Sequence, residues 1–251
     1  MEVHHPHHLT HKKKWHEYFL EFIMLFVAVS LGFFAENVRE RQIEKHREIS
    51  YLKNVHEDLL LDLNTIDTVM IVNQRRMAML DSLFTLLDKG DPPLADLYYY
   101  FRNMALRATF ESSHIGFDQI KSAGGLRMIK NRDIISGIQQ YENTLGSMYK
   151  LEETREHTLE QARFRLATVL DAKTNYIMTQ EQLDGPVRFQ RPKTPAPFFN
   201  NDRSTINELV NLTAFSVNTS RYLNQRLSKM KRIASELDEA ILKEYGKEFN
   251  H

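Results

Sequence analysis

FLEFIMLFVAVSLGFFA, residues 19–35, is the stretch on which the reading of this chain turns. It is almost wholly apolar and rises about 26 Å as a helix, close to the hydrocarbon thickness of a bilayer. Trp15 and Tyr18 stand at its leading edge, where amphipathic rings favour the headgroup level. Lys12, Lys13 and Lys14 precede these rings, and Glu36, Arg39 and Glu40 follow the apolar run, so charge marks both ends. The pattern predicts one membrane-spanning helix over residues 18–35, with the lipid bilayer as its first partner.

Ala28-Val29-Ser30 resembles a signal-peptide cleavage site, but Leu31, Phe33 and Phe34 carry the apolar run past it into a charged helical pattern. An uncleaved anchor is therefore expected. Residues 1–17 form a His/Lys-rich tail with His4, His5, His7, His8 and His11, followed by His16. Clustered imidazoles bind transition metals, yet a solvated tail that becomes cationic at mild acidity explains them as well, and no metal is assigned. The compact run Lys12–Lys14 favours a cytoplasmic tail and a periplasmic C-terminal domain. Arg39, Arg41, Lys45 and Arg47 beyond the span argue for the alternative, a cytoplasmic domain.

Outward from the span, 100° per residue places Glu21, Leu25, Ala28, Gly32, Ala35 and Arg39 on one stripe. Ala28 and Gly32 are a small-xxx-small pair that admits a second helix, and a carboxyl on that stripe prefers protein to lipid. These six residues are the candidate transmembrane contact; snorkelling of Glu21 towards the lysines is the competing explanation. Residues 36–48 read as a charged helical stalk with i,i+3 pairs such as Glu36–Arg39. From Ile49 a seam follows at spacings of three and four: Ile49, Leu52, His56, Leu59, Leu63, Ile66, Met70, Asn73, Met77, Leu80, Phe84 and Leu87. His56 and Asn73 interrupt it, and polar seam residues specify register or oligomer number. Phe33–Lys89 contains neither Gly nor Pro, as a long helix requires.

Lys89-Gly90-Asp91-Pro92-Pro93 is a stop and restart, with Gly90 as left-handed cap, Asp91 as N-cap and Pro92 in the next first turn. A short aromatic helix through Leu97, Tyr98, Phe101 and Met104 comes next. Gly124-Gly125 makes a corner, and Asn131 caps a segment expected to run from Arg132 to Leu183, with an irregularity near Gly146 or the polar stretch KLEETREHT, residues 150–158. That polar stretch reads as solvent-facing. Residues 186–202 hold four prolines and form a loop that Phe189, Phe198 and Phe199 are expected to pin. A last helix runs from Ser204 or Asp202 to about Tyr245, with a seam of Ile206, Leu209, Thr213, Val217, Ser220, Leu223, Leu227, Met230, Ala234, Leu237 and Ile241. The domain at 49–251 is thus an elongated, coiled-coil-like helical bundle, and the fold class is all-α.

Candidate chemistry is sparse. Glu111 and His114 have the Glu-x-x-His spacing of di-iron bundles, but no second copy exists. Lys121, Arg127, Lys130 and Arg132 surround the glycine corner without the spacing of a phosphate loop. The absence of cysteine removes thiol nucleophiles and iron–sulfur ligands, and a net charge of zero argues against nucleic acid as a partner. No catalytic residue and no cofactor are assigned. The opening residues 4–40, HHPHHLTHKKKWHEYFLEFIMLFVAVSLGFFAENVRE, together with residues 117–131, FDQIKSAGGLRMIKN, resemble a family of uncharacterised single-pass membrane proteins of Bacteroidota. That resemblance implies a bacterial membrane protein and carries no activity; the expected location is the inner membrane.

Two functional expectations follow. The first is a non-enzymatic, membrane-anchored scaffold or accessory subunit of an envelope complex, oligomeric with itself or bound to another membrane protein through the span and the 49–87 seam. The second is a sensory or ligand-binding bundle signalling through a partner, for which a cavity among Tyr98, Tyr141 and Tyr176 would be the mark.

Overall fold

A computed structural model describes residues 14–122, 124–180, 189–192 and 197–249. The histidines of residues 1–13, the stop at Asp184-Gly185-Pro186 and residues 186–188 and 193–196 of the Pro-rich loop lie outside them. The fold is all-α, with helices α1 (Trp15–Leu87), α2 (Leu94–Met104), α3 (Ile115–Ser122), α4 (Arg132–Val169), α5 (Ala172–Gln180) and α6 (Arg203–Tyr245). Among the described residues the β-structure is a single isolated bridge, Leu170 to Phe198. The chain divides into two compact units, Met1–Ile49 and Ser50–His251.

In the first unit, α1 holds one segment long and apolar enough to cross a membrane, and none of it is covered by protein. In the second, the rest of α1 packs with α2, α4 and α6. The seam lies one position off the expected register in several turns. Leu52, Val55, Leu59, Ile66, Val69, Leu80 and Leu83 are buried, as are Asp58, Asp62, Asn73 and Arg76. Asp62 and Arg76 are buried where Leu63 and Met77 were expected, and Val69 and Leu83 where Met70 and Phe84 were expected, so both charged and apolar neighbours turn inward. On α6 the expected seam is found from Leu209 to Ile241.

Helix ends follow local chemistry. Gly90 adopts φ 120°, a conformation that L side chains rarely adopt, and ends the turn after α1. The restart comes two residues later than expected. Pro93 is the N-cap of α2, because the residue before a proline is excluded from the helical region and Pro92 therefore cannot begin the helix. Gly124 is left-handed at φ 63°, making the corner before a 3-10 turn at Gly125–Arg127. Asn131 caps α4, accepting from the amides of Asp133 at 2.8 Å and Ile134 at 3.3 Å.

The expected single helix from Arg132 to Leu183 is instead two. α4 passes Gly146 and the polar stretch unbroken and stops at Leu170, which is extended and bridges Phe198. Asp171 then caps α5, its Oδ1 accepting from the Thr174 amide at 2.8 Å and hydroxyl at 2.7 Å. Asp202 caps α6 in the same way, accepting from the Thr205 amide at 2.9 Å and hydroxyl at 2.6 Å. Asp202→Ala is expected to lower stability by about 1 kcal/mol, read as a shift in urea midpoint at unchanged m-value.

Described parts of the loop are held at two of the three expected aromatics. Phe189 is buried under Arg102, whose guanidinium carbon lies 3.8 Å from the ring centroid. Asn103 pairs with the Phe189 backbone in both directions, accepting from its amide at 3.1 Å and donating to its carbonyl at 3.2 Å. Phe198 packs against Tyr98 and Phe101. Phe199 does not pin the loop: its ring is 87% exposed, because its amide bonds to Val169 O and turns the side chain outward.

Candidate functional site

In the first unit the candidate contact stripe is open. Leu25, Ala28, Gly32 and Ala35 are exposed, and an added Cβ on Gly32 would meet nothing within 4 Å. Glu21 is exposed on the same segment. Arg39 pairs with Glu36, as expected, with Nε at 2.9 Å.

In the second unit the polar chemistry converges on the connector from Ala105 to His114, between α2 and α3. A non-helical segment inside a bundle must have its amides and carbonyls bonded by side chains or water. Arginines supply the donors. Arg76 of α1 donates to Met104 O at 3.4 Å and more closely to Leu106 O, and also reaches Ser216 and Ser220 of α6. Arg163 and Arg155 of α4 donate to Ala105 O at 3.3 Å and Ala108 O at 2.6 Å. Aspartates of α1 supply the acceptors. Asp62 accepts from the Ser113 amide at 2.7 Å, the Ser112 hydroxyl at 2.5 Å and the Tyr141 hydroxyl of α4. Asp58 accepts from the Ser113 hydroxyl and the Gly116 amide, each at 2.7 Å, and so caps α3 from another helix. Gly116 lies so close to α1 that an added Cβ would meet Asn54 C and Val55 N, both at 2.5 Å.

Charge in this interior is unevenly matched. Glu152 bonds Arg155 at 3.1 Å and Arg107 at 3.5 Å, while Glu156 bonds Arg107 at 2.9 Å and Arg163 at 2.7 Å. Arg76, only 9% exposed, bonds to carbonyls and hydroxyls and pairs with no carboxylate among the described residues. Burial, together with the like charge of Arg155, pulls it down to about 10, so it stays cationic at neutral pH. The carbonyls at the end of α2 offset part of that charge through the helix dipole. Burial also pushes Glu152 up, against the pull of Arg155 and Arg107.

Asp62, 1% exposed, is pushed above the usual carboxylate range by burial, although Ser112, Tyr141 and Ser113 pull it down. A raised folded value means the native state keeps a proton that the unfolded chain has lost, so this group's contribution falls as pH rises through the folded value. Asp171, Asp202 and Glu156 are shifted down and act in the opposite sense. The Asp62 share is therefore read as a difference. From the ordinary carboxylate range up to neutrality, wild type minus Asp62→Asn stability is expected to decline with pH, and a flat or rising difference in urea unfolding would contradict this.

The sequence-derived residues sit around this interior rather than in it. His56 meets Asp238 of α6 at 2.5 Å, and Asn73 donates to Asn224 of α6 at 3.3 Å, so both seam residues have partners in the same chain. Glu111 and His114 are exposed, and among the described residues no group of three His, Asp or Glu is placed to hold a metal. At the glycine corner Lys121 pairs with Glu142 at 2.6 Å. Tyr98, Tyr141 and Tyr176 line no common cavity: Tyr98 donates to Asp171 O, Tyr141 donates to Asp62, and Tyr176 is exposed. An open groove of about 550 Å³ lies between α4 and α6, lined by Gln140, Asn143, Thr144, Ser147, Arg226 and Lys229 among others.

Asp58, Asp62, Arg76, Glu152 and Arg155 were missed by sequence reasoning. The polar stretch is solvent-facing at Glu153 and His157, but Glu152 is 7% and Arg155 3% exposed. The signal was present in spacing alone: Met148, Glu152, Arg155, Leu159, Ala162, Leu166 and Val169 form an unbroken buried seam. An ion pair at two seam positions looks like a phase shift when only apolar residues are counted.

Fold and site together define a helical bundle with a candidate span in its first unit and a backbone-clamping charged interior in its second. No family model, curated protein or solved structure matches the chain.

Proposed function

We propose that this chain is a membrane-anchored, non-enzymatic helical scaffold or accessory subunit of a bacterial envelope complex, a reading in keeping with the resemblance to the Bacteroidota membrane family. The observation that supports it is the contrast between the two units. Every apolar seam position of α6 from Leu209 to Ile241 is buried against the chain's own helices, whereas the segment long enough to span a membrane is bare. The seam of α1 is covered in the same way, and His56 and Asn73 are bonded within the chain. We assign the partner contact to the stripe of Glu21, Leu25, Ala28, Gly32, Ala35 and Arg39, and leave the 49–87 seam, largely occupied within the chain, out of the proposed interface. The partner is a second copy or another membrane protein in the inner membrane, with the C-terminal domain in the periplasm.

A photo-crosslinking residue at Ala28 in native membranes is expected to yield an adduct above the mass of the chain. Gly32→Leu is expected to lower its yield about fivefold, the equivalent of roughly 1 kcal/mol of helix–helix contact. Recovery of the uncrosslinked chain alone, or an adduct indifferent to Gly32→Leu, would sink the proposal.

A further inference from the structure

The geometry of the charged interior points to an anion site: we propose that Arg76 and Arg155 together hold one small monovalent anion of halide type inside the bundle. Both side chains are more than nine-tenths buried. The Nε of Arg76 and the Nε and Nη1 of Arg155 make no hydrogen bond among the described residues. Arg155 uses Nη2 for both of its acceptors, Glu152 and Ala108 O, which leaves the rest of its fork free.

Unpaired buried donors on a cation are costly, and a guanidinium cannot relieve the cost by losing its proton at neutral pH. The two arginines are near one another. Arg76 holds Leu106 O and Arg155 holds Ala108 O, carbonyls two residues apart in a stretch without helix. The like charge of Arg155 acts on Arg76, which places the two guanidiniums within electrostatic reach of each other. Two deeply buried guanidiniums face one deeply buried carboxylate, Glu152. The surplus is a single positive charge, which matches a monovalent ligand.

Water is the competing occupant, because Glu152 Oε1 is an acceptor without a hydrogen bond and would welcome a donor there. A halide is repelled by Glu152, and this separates the two occupants. The intact chain in detergent is unfolded thermally in sodium chloride or bromide, against sodium gluconate at equal ionic strength. The midpoint is expected to rise with halide and saturate, and to stay flat in gluconate. Glu152→Gln, which removes the repulsion and keeps the shape, is expected to tighten the apparent halide affinity about tenfold, and Arg76→Met to abolish the halide effect. Identical midpoints in halide and gluconate would overturn the proposal in favour of water. So would a Glu152→Gln chain with unchanged or weaker halide dependence, a result that does not rely on Arg76→Met folding.

Discussion

Asp62→Ala is expected to lower the stability of the Ser50–His251 unit by about 3 kcal/mol or more, because each buried donor left unbonded costs about 1–3 kcal/mol. The substitution strands the Ser113 amide and the Tyr141 hydroxyl and leaves the Ser112 hydroxyl only its 3.1 Å bond to Ser113 O. Its signature is a comparison. Asp62→Asn keeps one acceptor oxygen and should cost much less, and Tyr141→Phe, which removes only one of three donors, should fall near about 1 kcal/mol. Urea unfolding of the full chain, followed by helical circular dichroism, supplies the three values. If Asp62→Ala and Asp62→Asn were equal and small, Asp62 would not be the acceptor that fixes the connector.

The second large effect is expected from Glu152→Ala, at about 3–5 kcal/mol, because it leaves Arg155 charged and buried without its carboxylate. The cost belongs to the stranded partner more than to the lost attraction. Replacing both residues by leucine is therefore expected to recover most of the loss. Glu156 is the internal control: its partners Arg107 and Arg163 keep 27% and 44% of their side chains exposed, and Glu156→Ala should cost about 0–1 kcal/mol. A double variant no more stable than Glu152→Ala would show that the pair stabilises the bundle by itself.

These two carboxylates also mark where the sequence stopped being readable. The long apolar helix, the α6 seam, the stop at Gly90 and the cap at Asn131 follow from local rules and lie where those rules put them. The helix break at Leu170 was also written locally, in Asp171 and Thr174, but an apolar periodicity running past it masked the signal. Asp62, Arg76, Glu152 and Arg155 are different in kind. A charged residue at a seam spacing turns inward only if a partner far along the chain awaits it. The partners here, such as Tyr141 for Asp62 and Ser220 for Arg76, come from helices whose pairing no local pattern specifies. The connector itself reads as a polar loop, and nothing in its own residues announces that three arginines will thread it into a core.

The same cross-links bear on how the bundle tolerates sliding. Leucine and valine contacts are nearly indifferent to a shift of one helical turn, about 5.4 Å. His56, Asp62, Asn73 and Arg76 are not: a one-turn slip of α1 past α4 and α6 would part all four from Asp238, Tyr141, Asn224 and Ser220 at once. The greasy faces supply cohesion, and the charged ones key it to a single alignment.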